Sequence, residues 1–397
     1  MEGKHSPKHA APTRRERRAP RPERLPVERT VRRMPEEEPV RGIQPRRNRP
    51  VWKLIIQDII LTGLVLCVFA LFHHVLPRLT AASAPVPTPV DITATPAPEQ
   101  TPVPENSSQP EETPEPTPEP TPEVIDDRTE WQKKFAEHFT DEVVITENSY
   151  TSPNVSITIS TVTVDEPCTT VCYVADIYVA QIENFQTYWA TDEYGYYFSE
   201  DALSLARNSG AILSINGDYA NNQRSGFLVR NSQLYLTEQT SCDICVLYQD
   251  GTMETFAANE YNVDDILAKN PCQSWKFGPE LLDDNGQPKE SFNTPYAISI
   301  ANPRTGIGYF EPGHYCFVVA DGRQGSYSRG LEIELFAQLF ADLGCKAAYN
   351  LDGGASSIMT FEQSIYNSPS GGGRELGDVL IICELPESGE TEGGAEE

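Results

Sequence analysis

Histidine is almost missing from this chain: there are six in 397 residues, and only His138 and His314 lie past residue 78. Neither stands beside a candidate nucleophile at the end of an apolar segment, which argues against Ser-His-Asp and Cys-His hydrolases. Positive charge is scarce in the same region. Past residue 78, 14 Lys and Arg face 50 Asp and Glu, a balance that excludes nucleic acid as a partner unless a local basic pocket overrides the mean field. Chemistry on phosphate would then rest on a few particular arginines. A second Cys-x-x-Cys pair is also missing. Cys242 and Cys245 stand alone with nothing basic beside them, which argues against a zinc site or a low-pKa redox thiol. The eight cysteines past residue 78 read as disulfides or buried thiols, with Cys316 and Cys345 in apolar core segments.

What is present falls into zones. Residues 1–50 carry 15 Lys and Arg against 7 acids, with many prolines and few large apolar residues, and read as a disordered basic tail. LIIQDIILTGLVLCVFALF, Leu54 to Phe72, has about the 20 residues that a membrane-crossing helix needs. Asp58 lies near its basic end, within reach of headgroups. We expect residues 51–76 to be an uncleaved signal anchor, although AASA at 81–84 offers a cleavage site. The positive charge ahead of it puts the N-terminus in the cytoplasm and the rest outside the cell membrane. Residues 77–123 repeat Pro and Thr and read as a semi-rigid stalk. A folded domain is expected over 124–385, and an acidic disordered tail over 386–397.

The domain opens with SITISTVTV and CYVADIYVA, whose alternation predicts half-buried antiparallel strands. A helix is expected near Asp201 to Asn208, stopped by Gly210, with a strand from Ala211 to Ile215 that delivers Asn216, Gly217 and Asp218. The same order returns later. Leu331, Leu335, Leu339 and Leu343 predict a helix that Gly344 ends, and a strand around Ala347 to Leu351 delivers Asp352, Gly353 and Gly354. Between these units, a strand from Tyr315 to Ala320 ends in Asp321, Gly322 and Arg323. The expected fold class is α+β, a largely antiparallel mixed sheet with packed helices, preceded by a single transmembrane helix and a disordered stalk.

Three apolar strands thus end in an acid beside a glycine, where turns can bring side chains into one crevice. The polar candidates are Asn216, Asp218, Arg304, Asp321, Arg323, Asn350, Asp352 and Arg374. Taken singly, each has an ordinary structural use in caps, turns and surface pairs. Arginines beside three acidic turns suit phosphate, because guanidinium is a planar fork. No cofactor is required by this pattern. Asp218, Asp321 and Asp352 would also suit calcium, and that choice stays open.

The succession INGDY (215–219), SGFLVRNSQLY (225–235), FGPELLDDNG (277–286), NPRTGIG (302–308), ADGR (320–323), YSRGLEIELFAQLFADLGCKAAYNLDGGASS (327–357), YNSPS (366–370) and GGGRELGDVL (371–380) resembles the phosphodiester glycosidase family. That family includes the mannose 6-phosphate uncovering enzyme and bacterial surface proteins. The resemblance implies hydrolysis of a sugar 1-phosphodiester, such as one of N-acetylglucosamine, in a surface or wall glycopolymer. It implies catalytic roles for Asp352, Asp321 and Asp218. Substrate contacts would fall to Asn216, Arg304, Arg323, Asn350, Gly353, Gly354, Ser356 and Arg374. Ala355 stands where the usual pattern has a third glycine, which matters only if the position needs a positive φ or a close approach of substrate. The competing reading is a non-catalytic module that binds or assembles phosphodiester-linked wall polysaccharide.

Overall fold

The computed structural model describes residues 62, 89–92, 126, 128–192, 194–222 and 224–386. The chain divides into two units, Met1–Leu66 and Cys67–Glu397, and the second carries every feature below. The expected basic tail (1–50), anchor (51–76, apart from residue 62), most of the stalk and the acidic tail from residue 387 lie outside the described residues. No helix among the described residues is long and apolar enough to cross a membrane.

Within the expected stalk, Val90–Asp91 (β1) is a short strand paired with Leu234 and Gln233. The sequence then runs through α1 (Glu130–Lys134), β2 (Val144–Ile145), β3 (Ser149–Thr151), β4 (Val155–Val164), β5 (Thr170–Val179) and β6 (Phe185–Trp189). Next come α2 (Ala202–Asn208), β7 (Leu213–Asn216), β8 (Phe227–Arg230), β9 (Gln233–Thr237), β10 (Ile244–Tyr248), β11 (Met253–Phe256), α3 (Val263–Leu267) and β12 (Pro271–Trp275). The remainder holds α4 (Tyr296–Ser299), β13 (Arg304–Glu311), β14 (His314–Ala320), α5 (Ile333–Asp342), β15 (Ala347–Asn350), β16 (Met359–Phe361), β17 (Ser364–Ile365) and β18 (Asp378–Ile382).

Two large sheets, ordered β15-β13-β14-β5-β4-β3-β2 and β17-β16-β7-β18-β6, pack face to face, and two three-stranded sheets, β11-β10-β12 and β1-β9-β8, complete the strands. The ladders are antiparallel throughout the described residues. This is the α+β, antiparallel-dominated class that the alternation predicts. β14 has almost no polar position because both of its faces are covered. Tyr315, Phe317 and Val319 enter the core between the large sheets with Ile177, Leu213, Ile215 and Leu380. Cys316, Val318 and Ala320 enter the opposite core with Ile333, Phe336 and Phe340 of α5. On the other large sheet, α2 covers Val379 and Ile381 with Leu205 and Ala206. The layers are therefore helix, sheet, sheet, helix, and each buried aromatic or aliphatic side chain contributes about 1.5–3 kcal/mol of transfer free energy.

Local signals explain where elements stop. Asp201 caps α2 by accepting from the Ser204 amide at 3.0 Å. Gly210 and Gly344 end the two helical segments at φ 68° and 86°. The helix expected between Leu331 and Gly344 forms as α5. α5 starts at Ile333 and buries Ile333, Phe336, Ala337, Leu339 and Phe340, while Leu335 and Leu343 are only partly buried. A strict four-residue repeat drifts about 40° per step around a helix of 3.6 residues per turn, so it cannot hold one face. The eight cysteines of the domain are unbridged, and Cys316 and Cys345 lie in the core with Sγ atoms 3.7 Å apart. Cys245 is fully buried, and burial pushes its thiol well above its ordinary range.

Candidate active site

The ends of β7 and β15 meet at the junction of the two large sheets. The Asp352 amide donates to the Gly217 carbonyl at 3.3 Å across that junction. Asn216 braces it: Nδ2 donates to the Asp352 carbonyl at 2.7 Å, while Oδ1 accepts from Thr305 Oγ1 at 2.7 Å and from the Ile358 amide at 3.4 Å. A side chain this fully engaged, and buried, positions the turn and has no group left for a ligand.

A cavity of about 250 Å³ opens beside these strand ends. It is lined by the candidates Arg304, Arg323, Asn350, Asp352, Gly353, Gly354 and Arg374, with Phe277 and Ile298 as apolar wall. Asp352 Oδ2 accepts from Ser356 Oγ at 2.7 Å and from Arg374 Nη2. Arg374 Nε donates in turn to Ser356 Oγ, so Ser356 orients the carboxylate from behind. Asp352 Oδ1 accepts only from the Gly353 amide, at 2.9 Å, among the described residues.

The other two arginines have no carboxylate within ion-pair distance among the described residues. Arg304 is 2% exposed, and its guanidinium donates to the carbonyls of Leu331 and Ile300 at 2.8 Å and to that of Ile298. Burial lowers its pKa to about 10, against the pull of Glu334 and Glu332. A buried cation without a counter-ion is costly until an anion joins it. Arg323, held at φ 60°, donates from Nη2 to Asn302 Oδ1 at 2.8 Å. With three arginines and one carboxylate, the cavity is locally positive in a chain of formal net charge −27.

Asn350 supplies a further signal. Its Nδ2 donates to the Gly278 carbonyl at 2.7 Å, which fixes the amide orientation, and its Oδ1 is buried with no partner among the described residues. Asn350 is one of the residues lining the cavity, and its oxygen is a buried acceptor that its neighbours leave unsatisfied. Gly353 and Gly354 let the main chain pack closely. A Cβ on Gly353 would come within 2.8 Å of the Pro303 carbonyl oxygen, and Gly354 has φ 68°. Ala355 is not among the positive-φ residues, so its methyl is accommodated without strain.

Two expected members lie elsewhere. Asp218 is fully buried; its Oδ1 accepts from Arg230 Nη2 at 2.7 Å and its Oδ2 from the Lys276 amide at 2.6 Å. Asp321 is 1% exposed and accepts from Asn367 Nδ2 at 2.8 Å, the Ser368 amide at 3.0 Å and Tyr327 Oη at 3.1 Å. Burial raises its pKa. Both carboxylates fasten loops beneath the site and are not on the cavity wall, so the expectation of three converging acids is corrected to one. For the same reason the three acids do not form a calcium set. No group of three or more His, Cys, Asp or Glu suited to a metal is found among the described residues. His138 and His314 stack on Tyr178, away from the cavity.

Sequence reasoning missed Asn302, which holds Arg323, and the buried pair of Arg230 and Asp378. Arg230 Nη2 reaches Asp378 Oδ2 at 3.2 Å while it also binds Asp218. An arginine closing the apolar run FLVR and an acid opening the apolar strand DVLII were the available signals. The Asp378 carboxyl packs directly on Gly217, where a Cβ would lie 2.4 Å from it.

The model of the phosphodiester glycosidase family matches residues 209–383 of this chain. The chain is 30% identical over 191 residues to the SPbeta prophage-derived uncharacterized protein YomE of Bacillus subtilis (strain 168). That match takes in 46% of this chain and 29% of YomE, so the chain spans less than a third of the relative's length. Among solved structures, the catalytic domain of zebrafish N-acetylglucosamine-1-phosphodiester alpha-N-acetylglucosaminidase, auto-inhibited by its pro-peptide, aligns with TM-score 0.48 and 20% identity over 58% of this chain and 83% of that one. A hypothetical protein from Synechocystis aligns with TM-score 0.39 and 12% identity over 58% of this chain and 62% of that one.

Proposed function

We propose that this protein hydrolyses the bond between the anomeric carbon of a sugar and a phosphodiester in a cell-surface or wall glycopolymer, from a membrane-anchored position outside the cell. One observation carries the reading: two arginines without carboxylate partners share a small cavity with one oriented carboxylate. Arg304 and Arg323 hold the phosphate, the former from a rigid buried position and the latter from the rim. A phosphodiester leaving group is a weak base and needs little protonation, so the demand on the protein shifts to charge stabilisation. Asp352 polarises the attacking water or shields the oxocarbenium-like transition state through Oδ1, the oxygen not claimed by Arg374 and Ser356. Asn350 Oδ1 accepts from a sugar hydroxyl or acetamido proton.

The anchor at 51–76 holds the domain at the outer face of the membrane, within reach of a wall or capsule. The test is release of free sugar from N-acetylglucosamine 1-(methyl phosphate) by the full-length protein, with Asp352→Asn alongside. Turnover lost in that variant supports the reading. Saturable binding without turnover by the wild-type protein would replace it with the binding or assembly module, and undiminished turnover in Asp352→Asn would remove Asp352 from the chemistry.

A further inference from the structure

A cavity of about 250 Å³ lies below the roughly 300–1,000 Å³ of ordinary ligand pockets, so it accommodates little more than one sugar ring with its phosphate. The rest of a polymer must run over the adjoining surface, and beside Arg374 that surface is aromatic. Tyr219 is 46% exposed, and Tyr197 and Phe198 are each 38% exposed. They stand on two loops tied together by the Tyr197 amide, which donates to the Asn221 carbonyl at 3.2 Å, and by Asn221 Nδ2, which donates to the Phe198 carbonyl. Tyr219 shares a narrow cleft with Asp352, Ser356 and Arg374, and its ring centre lies 5.5 Å from the Arg374 guanidinium. At the far side Arg224 lies 4.4 Å from the ring centre of Tyr196 and 5.7 Å from that of Tyr197.

The backbone gives an independent sign. Tyr197 and Tyr219 both have φ 66°. That region costs a bulky L-residue on the order of 1 kcal/mol or more relative to glycine, and such strain clusters at ligand sites. Neither ring recovers the cost through deep burial, since both are exposed. The loops also stand on a firm base: Tyr194 packs against Trp189 at 5.1 Å and against Tyr235 at 5.0 Å between ring centres. Aromatic faces carry partial negative charge and attract the partly positive C–H faces of pyranose rings. Tyrosine hydroxyls and arginines among the rings suit a hydroxyl-rich ligand better than an apolar protein face.

We propose that Tyr219, Tyr197 and Phe198, flanked by Arg374 and Arg224, form a platform that binds successive sugar rings of a saccharide chain leading to the cavity. This rests on the phosphodiester glycosidase reading and adds that its substrate is an extended glycan. The test titrates the full-length protein with tetra-N-acetylchitotetraose by calorimetry, in the wild type, Tyr197→Ala, Tyr219→Ala and Tyr197→Phe. Expected is saturable binding that weakens about tenfold in each alanine variant and is retained in Tyr197→Phe, with circular dichroism unchanged. Absence of saturable binding to the wild type, or equal binding by the folded alanine variants, overturns the platform. Hydrolysis of N-acetylglucosamine 1-(methyl phosphate) is followed in the same samples to separate the two ideas. Hydrolysis without tetrasaccharide binding leaves the enzyme reading standing and the platform fallen; tetrasaccharide binding without hydrolysis does the reverse.

Discussion

Gly354 lies directly against the guanidinium of Arg323: a methyl group on its α-carbon would come within 3.1 Å of both Nη1 and Nη2. At φ 68° the position also disfavours any side chain. Gly354→Ala should therefore lose about 1 kcal/mol of stability and raise KM for a phosphodiester several-fold by displacing Arg323. Gly325→Ala is the control. Its φ is 58° and nothing lies within 4 Å of its Cβ position. It should show a similar stability loss in thermal melts and an unchanged KM; a KM effect in both variants would mean that strain alone is responsible.

Asp352→Asn should reduce kcat by about 10³-fold or more if the carboxylate supplies charge at the reacting carbon. Its ion pair with Arg374 is part-exposed, with side-chain exposures of 14% and 47%, so the stability change should stay within about 1 kcal/mol. Steady-state kinetics beside a denaturant titration checks both halves. A large loss of stability would show that the effect on turnover is one of folding.

The two unpaired arginines should separate in experiments. Arg304→Lys removes the planar fork that reaches the carbonyls of Leu331, Ile298 and Ile300, and should lower stability by about 2–3 kcal/mol as well as weaken substrate binding. Arg323→Lys, at an exposed position, should change stability by less than about 0.5 kcal/mol and raise KM roughly tenfold. Equal stability losses in both would contradict the division between buried and rim arginine.

A buried acid should leave a mark on the pH profile. The Asp378 pKa is pushed up to about 7, first by burial and then by the Asp218 carboxylate; Asp352 adds to the rise and Arg230 opposes it. The unfolded chain releases the same proton near pH 4. Between about pH 4 and pH 7 the folded protein thus holds a proton that the unfolded chain does not, and stability from this group, full at low pH, is lost as pH rises. Asp321, also raised by burial, acts in the same direction. The melting temperature of the wild type relative to Asp378→Asn should fall between pH 5 and pH 7.5; a constant difference would show that Asp378 carries no such proton.

Much of the framework was legible because it rests on local rules. Alternation marked β4 and β5, Asp201 and Gly210 bracketed α2, and Gly344 closed the segment of α5. The strand ends that present Asn216, Asp321 and Asp352 were visible for the same reason, since an apolar run followed by Asp and Gly is a strand meeting a turn. Which face of α5 is buried was not legible, because leucine every fourth residue drifts around the helix and marks no single face.

Taken alone, the sequence determined that the domain is largely antiparallel, that it holds only two histidines, neither beside a candidate nucleophile, and that any handling of phosphate must use a few arginines. Composition and period carry that information without reference to distant partners. Only the tertiary structure decided which acid faces the cavity. Asp218, Asp321 and Asp352 occupy equivalent places at strand ends, and they differ only in what packs on them: Arg230 and the Lys276 amide on the first, Asn367, Ser368 and Tyr327 on the second, Arg374 and an open cavity on the third. Those partners come from remote parts of the chain, and burial by them is what turns two of three similar carboxylates into fastenings and leaves Asp352 on the wall of an open cavity.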